Sequence, residues 1–183
     1  MPAALRRTRP ALPRFAVAWF PRFEGLAQVE ALRRRHDPMA ALIPAHLTLV
    51  FPFATALTRL QVAAHVKRVA ARWPQVPVSF RAVRLYANEF VFLMAARGAD
   101  SVHALHDAMY TRSLLPYLRR DLPYEPHITL ARNPDLARLE AAYDEARAEL
   151  GRELSDVMRE VTLLCVKRDG RIERLGDLAL SCA

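Results

Sequence analysis

The chain has 183 residues, 52% of them hydrophobic, which is the length and composition of one globular domain with a sizeable core. Its formal net charge of +8 favours polyanionic partners, nucleic acid first, although the arginines are spread along predicted helices as well as loops. Two cysteines cannot build a disulfide framework and no apolar run could cross a bilayer, so we expect a cytoplasmic protein that does not enter membranes.

The first half of the chain is predicted to alternate strands and helices. Residues 1–13 carry Arg and Pro ahead of any apolar run and are predicted to form a loose tail before a single domain over residues 14–183. Hydrophobic periodicity then predicts, in order, a strand over 14–20, a helix over 24–35, a strand from His46, a helix over 58–73, and strands over 76–86 and 89–95 joined by a turn at 87–88.

The second half repeats part of this order. A helix over 100–115, with Asp100 or Ser101 as its N-cap, precedes a strand over 126–132. A helix that starts after Asn133-Pro134 and two strands over 157–167 and 171–180, joined by Asp169-Gly170, complete the chain. Each half contains one strand with a histidine at the matching place, which predicts an α+β fold of two related lobes.

The motif His-x-Thr-Leu occurs twice, as His46-Leu47-Thr48-Leu49 and as His127-Ile128-Thr129-Leu130. Two chance copies are expected in roughly one shuffled sequence in a few thousand, so coincidence is a poor explanation. Successive side chains of a strand point to opposite faces, so each copy presents one imidazole and one hydroxyl on the same face. Each lobe would therefore contribute one histidine and one threonine to a site.

Two facing histidines suit displacement at phosphorus, in which the attacking and the leaving oxygen lie on opposite sides. An imidazole can act as base or acid near neutral pH, so the predicted chemistry requires neither a metal nor a cofactor. Thr48, Thr129 and Arg132 could hydrogen-bond the non-bridging oxygens. Arg132 lies five residues after His127, so it reaches the same face only if the strand has a bulge near Ala131.

Aromatic residues could supply a surface on which a base stacks. Phe51 occupies, after His46, the place that Arg132 occupies after His127, and Tyr124 precedes the second motif. We expect Phe51 and Tyr124 to bind substrate. Most of the wider aromatic pool is expected to lie in the core: Phe51, Phe53, Tyr86, Phe90, Phe92 and Tyr124.

The paired motifs, with the flanking stretches His36-Asp37-Pro38 through Phe53 and Pro126 through Arg132, resemble the 2H phosphoesterase superfamily, in its 2′-5′ RNA ligase and 2′,3′-cyclic phosphodiesterase branch. The resemblance implies a bilobal α+β fold, each lobe an antiparallel sheet flanked by helices, with His46 and His127 at the floor of a V-shaped cleft. It also implies opening of 2′,3′-cyclic phosphates on RNA or nucleotides by a monomer, with Thr48, Thr129 and Arg132 on the phosphate.

Two alternatives stay open. The chain could be a non-catalytic module that binds RNA phosphates through Arg84, Arg97, Arg119, Arg120 and Arg132, or its main reaction could be 2′-5′ ligation, the reverse of cyclic-phosphate opening. His103 and His106 lie three residues apart on a predicted helix without a third metal ligand, and we interpret them as part of a solvated helix face.

Overall fold

The computed structural model describes residues 12–182, so the predicted tail lies outside the described residues except for Leu12 and Pro13. The strands are β1 (Arg14–Trp19), β2 (Leu47–Ala54), β3 (Val76–Tyr86), β4 (Phe90–Ala95), β5 (His127–Arg132), β6 (Leu154–Met158), β7 (Glu160–Val166) and β8 (Ile172–Ala179). The α-helices are α1 (Leu26–His36), α2 (Arg59–Ala70), α3 (Ala99–Met109) and α4 (Leu136–Glu149). Short 3₁₀ helices cover Pro38–Ala41 and Arg112–Tyr117.

All eight strands belong to one sheet, in the order β6-β3-β4-β5-β2-β1-β7-β8, with antiparallel neighbours. The order is symmetric about its centre, since β1 corresponds to β4, β2 to β5, β7 to β3 and β8 to β6. Strands β8, β7, β1 and β2 form what we name the His46 half, and the other four form the His127 half. The predicted α+β fold with two related lobes is confirmed, although the two predicted sheets are joined into one.

The junction between the halves is narrow. Leu47 of β2 and Ile128 of β5 are the register pair that joins the two strands, and both side chains are fully buried. Burial of each such aliphatic side chain stabilises the fold by about 1.5–3 kcal/mol. The two motifs therefore lie side by side at the centre of the sheet, where the halves meet.

Two helices cross from one half to the other. Helix α1 follows β1 of the His46 half but packs on β5 and α4, and α3 follows β4 of the His127 half but packs on β2. Both begin after a glycine in the left-handed region, Gly25 with φ 92° and Gly98 with φ 80°. The N-cap predicted at Asp100 or Ser101 is thus wrong, because Ala99 is already helical.

Other predicted boundaries also need correction. Helix α3 ends at Met109 instead of residue 115, because Arg112 adopts φ 49° and a 3₁₀ helix follows. Helix α4 begins after Asp135, whose carboxylate accepts from the amides of Ala137 and Arg138, and not after Asn133-Pro134. The turn at residues 87–88 is confirmed, since both adopt positive φ as a tight hairpin requires.

The strand predicted over residues 157–167 is two strands. Met158 of β6 pairs with Val76 of β3, whereas Glu160 of β7 pairs with Ala179 of β8, so the chain passes from one half of the sheet to the other at Arg159. No helix within residues 12–182 has the length and apolar character that a membrane crossing requires.

Candidate active site

A β-bulge in each central strand determines which side chains reach the cleft. Val91 and Phe92 of β4 pair with Ala131 and Thr129 of β5, so Leu130 is an extra residue in β5. A bulge shifts the alternation by one residue, and Arg132 therefore lines the same cavity as Thr129. The bulge that the sequence required near Ala131 is present, one residue earlier.

The first motif has the same irregularity. Val17 and Ala18 of β1 pair with Val50 and Thr48 of β2, which leaves Leu49 as the extra residue. Phe51 consequently lines the cavity together with Thr48. Position 51 thus corresponds to position 132 in structure as well as in sequence, with an aromatic ring in one half and a guanidinium in the other.

Both motif histidines have the same hydrogen-bond arrangement. Nδ1 of His46 donates to the carbonyl of Pro44 at 2.8 Å, and Nδ1 of His127 donates to the carbonyl of Glu125 at 2.6 Å. A carbonyl can only accept, so Nδ1 carries the proton in each ring and Nε2 is available as the second proton site. Both rings line one cleft with a cavity volume of about 380 Å³.

The two histidines differ in their surroundings. The ring of His127 stacks on Phe92 with centroids 3.6 Å apart, whereas the ring of His46 is tilted against Phe20 at 5.9 Å. Burial lowers the pKa of His127 to about 4, and the charge of His46 lowers it too. Burial also lowers the pKa of His46, as does the charge of Arg33, whereas the hydrogen bond to Pro44 and the charges of Asp37 and Glu30 raise it. His46 therefore has carboxylates nearby that favour its protonated form.

The cleft is mostly apolar. The aromatic side chains that line it are Phe51, Tyr86, Phe90 and Phe92. Tyr86 stacks on Phe92 with centroids 4.9 Å apart, and the Arg132 guanidinium lies 5.1 Å from the centre of the Phe90 ring. Three of these four rings come from β3 and β4, so the His127 half supplies most of the aromatic surface.

Few charges line this cleft despite the basic composition. Among the described residues that line it, Arg132 is the arginine, while Asp37 and Glu125 are the carboxylates. Asp37 is paired with Arg33 at 3.0 Å and Glu125 with Arg84 at 2.6 Å. The other arginines of the RNA-binding alternative, at positions 84, 97, 119 and 120, are absent from the cavity lining.

Tyr124 is not brought into the cleft. Its hydroxyl donates to the carbonyl of Thr48 at 2.9 Å, and its ring stacks on His106 with centroids 3.6 Å apart. Burial raises the pKa of Tyr124, so the hydroxyl remains a donor. The structure therefore places Tyr124 behind the first motif, among the residues that support β2.

The prediction that His103 and His106 share a solvated helix face is wrong for His106. Its ring is 3% exposed, and its Nδ1 donates to the carbonyl of Leu49 at 2.8 Å. His103 is half exposed and lies 3.3 Å from Asp107. Within residues 12–182, no group of three or more His, Cys, Asp or Glu side chains is arranged to hold a metal ion.

Sequence reasoning missed the buried group behind the cleft. Arg33 of α1 is 1% exposed and forms ion pairs with Asp37 and Glu30, while its Nε donates to the carbonyl of Thr129 at 3.1 Å. A signal was available, because Arg33 lies four residues after the buried Val29, on the apolar stripe of the helix.

The two His-x-Thr motifs, which line one cleft from the two central strands, are the feature that this chain shares with the 2H class of phosphoesterases. The model of the 2′-5′ RNA ligase superfamily matches residues 21–170, so the chain belongs to that family. A predicted phosphoesterase of Geobacillus kaustophilus is 24% identical over 119 residues, which cover 64% of this chain and 68% of that protein. Membership and such relatives support an enzyme that acts on phosphoester bonds.

Solved structures share the fold. LigT of E. coli without ligand has a TM-score of 0.62 at 21% identity, and the similarity covers 92% of this chain and 98% of LigT. The protein TT0787 of Thermus thermophilus has a TM-score of 0.66 at 19% identity, with the same coverage. LigT has also been solved in complexes with 3′-AMP and with ATP.

Proposed function

We propose that the protein opens 2′,3′-cyclic phosphates on nucleotides or RNA ends without a metal ion. The observation that carries this proposal is the matched pair of imidazoles, each with its Nδ1–H donated to a carbonyl two residues earlier. This arrangement leaves both Nε2 atoms as proton sites in one cleft. A base and an acid on opposite sides of a phosphorus atom are the groups that in-line displacement needs.

In the proposed reaction, Nε2 of one histidine accepts a proton from water, and the water oxygen forms a bond to phosphorus. The bond from phosphorus to one ribose oxygen breaks, and Nε2–H of the other histidine protonates that oxygen, so the product is a phosphomonoester. The hydroxyls of Thr48 and Thr129 and the guanidinium of Arg132 hydrogen-bond the non-bridging oxygens, where negative charge is concentrated.

We assign the base role to His127 and the acid role to His46. The low pKa of His127, about 4, keeps that ring neutral and able to accept a proton over the whole physiological range. Burial and the charge of Arg33 lower the pKa of His46, whereas the charges of Asp37 and Glu30 raise it. No carboxylate is among the causes that shift the pKa of His127, so two nearby carboxylates favour the protonated form of His46 alone. A bound phosphate anion stabilises that protonated form further.

The apolar walls support a nucleotide as the substrate. Phe51, Tyr86 and Phe90 offer ring surfaces on which a base can stack, and Arg132 offers one cation for the reacting phosphate. Complexes of the related LigT with 3′-AMP and ATP agree with a site for nucleotides. An RNA-binding module would need several phosphate-binding cations in the cleft, and its described lining contains one arginine.

The test is hydrolysis of a 2′,3′-cyclic nucleotide and of an RNA with a cyclic-phosphate end, both in the presence of EDTA. We expect turnover by the wild type and none by a His46→Ala/His127→Ala double variant. Loss of turnover on chelation would contradict the metal-free mechanism, and binding of both substrates without turnover would favour the binding module. Incubation of the RNA with a cyclic-phosphate end together with a 5′-hydroxyl RNA then measures 2′-5′ ligation by the same site, since the 5′-hydroxyl takes the place of water as the nucleophile.

A further inference from the structure

Arg33 of α1 is a buried cation that is neither acid, base nor phosphate ligand in the proposed chemistry, although its charge lowers the pKa of His46. It does not line the cleft, and its side chain is 1% exposed. Removal of a guanidinium from water costs several kcal/mol unless partners compensate, and a well-packed apolar side chain often stabilises a fold as much. Stability alone is therefore a weak reason for a charge at this place.

The backbone acceptors of Arg33 lie in the second histidine motif and in the loop that leads to the first. Nε donates to the carbonyl of Thr129 at 3.1 Å, inside the second motif. Nη1 donates to the carbonyl of Ile43 at 3.0 Å, in the loop that leads to His46. One rigid guanidinium plane thus fixes the distance between a backbone group of the His127 half and a backbone group of the His46 half.

The acidic partners of Arg33 extend this connection to His46 itself. Nη1 also contacts Glu30 at 3.3 Å, and the other carboxylate oxygen of Glu30 accepts from the amide of Ala45 at 2.6 Å. Ala45 directly precedes His46, and Pro44 before it provides the carbonyl that holds the His46 ring. Nη2 pairs with Asp37 at 3.0 Å, whose other oxygen accepts from the amide of Met39.

Helix α3, which corresponds to α1 in the pseudo-symmetric sheet, makes a simpler set of hydrogen bonds to the motifs. His106 of α3 donates to the carbonyl of Leu49, and the nearby Tyr124 hydroxyl donates to that of Thr48. Both acceptors lie in β2, and Tyr124 itself lies three residues before His127, so its hydrogen bond joins the segment before the second motif to the first motif. Arg33 differs because a single buried guanidinium donates to backbone carbonyls on both sides of the junction.

We propose that Arg33 is a positioning residue that sets the separation and orientation of His46 and His127 across the narrow junction of the sheet. The inference rests on the proposed function, because the two proton transfers of the proposed reaction require both rings to be aligned with the phosphate. An error of about 1 Å in such alignment can cost about a hundredfold in rate. Arg33 touches no substrate, so its loss should affect kcat and leave KM nearly unchanged.

The test compares R33K with R35K, the same substitution on the same helix. Arg35 forms ion pairs with Glu145 and Glu149 of α4 and touches neither motif. Lysine is a point charge and cannot span the acceptors that the guanidinium joins. We expect R33K to lower kcat at its pH maximum about ten- to a hundredfold with KM within about threefold, and R35K to change kcat less than twofold. A folded R33K with wild-type kcat overturns the proposal.

A second pair of variants decides the matter if R33K does not fold. E30A removes the acceptor of the Ala45 amide, whereas E30Q retains an oxygen at that place. We expect E30A to lower the maximal kcat at least about tenfold and E30Q to restore most of it. Equal maximal kcat in E30A and the wild type overturns the proposal.

A readout without substrate separates this inference from the proposed function. In NMR spectra, R33K or E30A should change the chemical shifts of the ring signals of both His46 and His127. R35K should change neither set of signals. Unshifted rings overturn the positioning role. If the wild type turns over no cyclic phosphate while both rings shift, the proposed function fails and the positioning role of Arg33 stands.

Discussion

The His46 half and the His127 half have the same backbone design and different side chains around it. Each central strand has a bulge after its threonine, at Leu49 and at Leu130. Each histidine donates Nδ1–H to a carbonyl two residues earlier. The repeated backbone fixes the positions of the two imidazoles. The neighbouring side chains differ between the halves, and they determine the pKa of each imidazole.

Those neighbours are of different kinds. His127 stacks on Phe92, and its lowered pKa is caused by burial and by the charge of His46. His46 has Asp37 and Glu30 near it, which raise its pKa against burial and the charge of Arg33. The two rings therefore have different surroundings, as the proposed base and acid require. Four predictions test this difference between the halves, and they are given in order of decreasing effect.

The largest effect is expected when either ring is removed. His46→Ala and His127→Ala should each lower kcat at least about a hundredfold, since each removes one proton transfer of the proposed reaction. Steady-state hydrolysis of a 2′,3′-cyclic nucleotide measures the loss, and circular dichroism confirms that the variants fold. Near wild-type activity in one variant would show that its half does not take part in the chemistry.

The next comparison concerns the equivalent positions after the two bulges. Arg132→Met removes the arginine of the cleft lining and should lower kcat/KM about ten- to a hundredfold, the value of one charge-assisted hydrogen bond. Phe51→Leu keeps an apolar side chain and should cost less, about threefold.

Arg97→Met is the matched control, because Arg97 lines a separate hollow with Trp73 and Ser101. It should leave kcat/KM unchanged. Equal losses of kcat/KM in the Arg132 and Arg97 variants would show that the effect comes from the overall charge of the protein. They would contradict a role of Arg132 in substrate binding.

A third prediction compares the glycines that begin the two crossing helices. A Cβ on Gly98 would overlap the backbone oxygen of Pro77, whereas a Cβ on Gly25 would meet the movable guanidinium of Arg152 at 3.0 Å. Both positions have positive φ, so Gly25→Ala should cost about 1–2 kcal/mol and Gly98→Ala about 3 kcal/mol or more. Urea denaturation measures the free energies of unfolding. Similar values for the two variants would contradict the difference in packing.

The smallest effect concerns pH. The base His127 must be neutral, so kcat/KM should rise as pH increases through about 4. The acid His46 must be protonated, and its pKa lies below the ordinary value of about 6.5, so kcat/KM should fall as pH increases through a value below 6.5. Glu30→Gln removes a charge that raises the pKa of His46 and should move the falling limb to lower pH. An optimum above pH 7 would contradict the assigned roles.

Local patterns were sufficient for most of the elements and for the identity of the central residues. The duplicated motif predicted that His46, Thr48, His127 and Thr129 belong together, and all four line the cleft. The hairpin turn at residues 87–88 was readable because Asn88 is a residue type that tolerates the positive φ of such a turn. The break at Arg159 was not readable, because no glycine or proline separates β6 from β7 and so no local signal marks the end of a strand.

Two copies of His-x-Thr-Leu and the alternation of a strand were enough to predict which motif side chains share a face, because both signals are local in the chain. The further residues that surround them depend on the tertiary structure. The bulges that turn Phe51 and Arg132 toward the cleft depend on the pairing partners in β1 and β4. The burial of Arg33, and its hydrogen bonds to backbone on both sides of the junction, depend on the crossing of α1 from one half to the other. Contacts between residues 96 positions apart leave no local pattern in the chain, because packing brings them together only after both halves have formed.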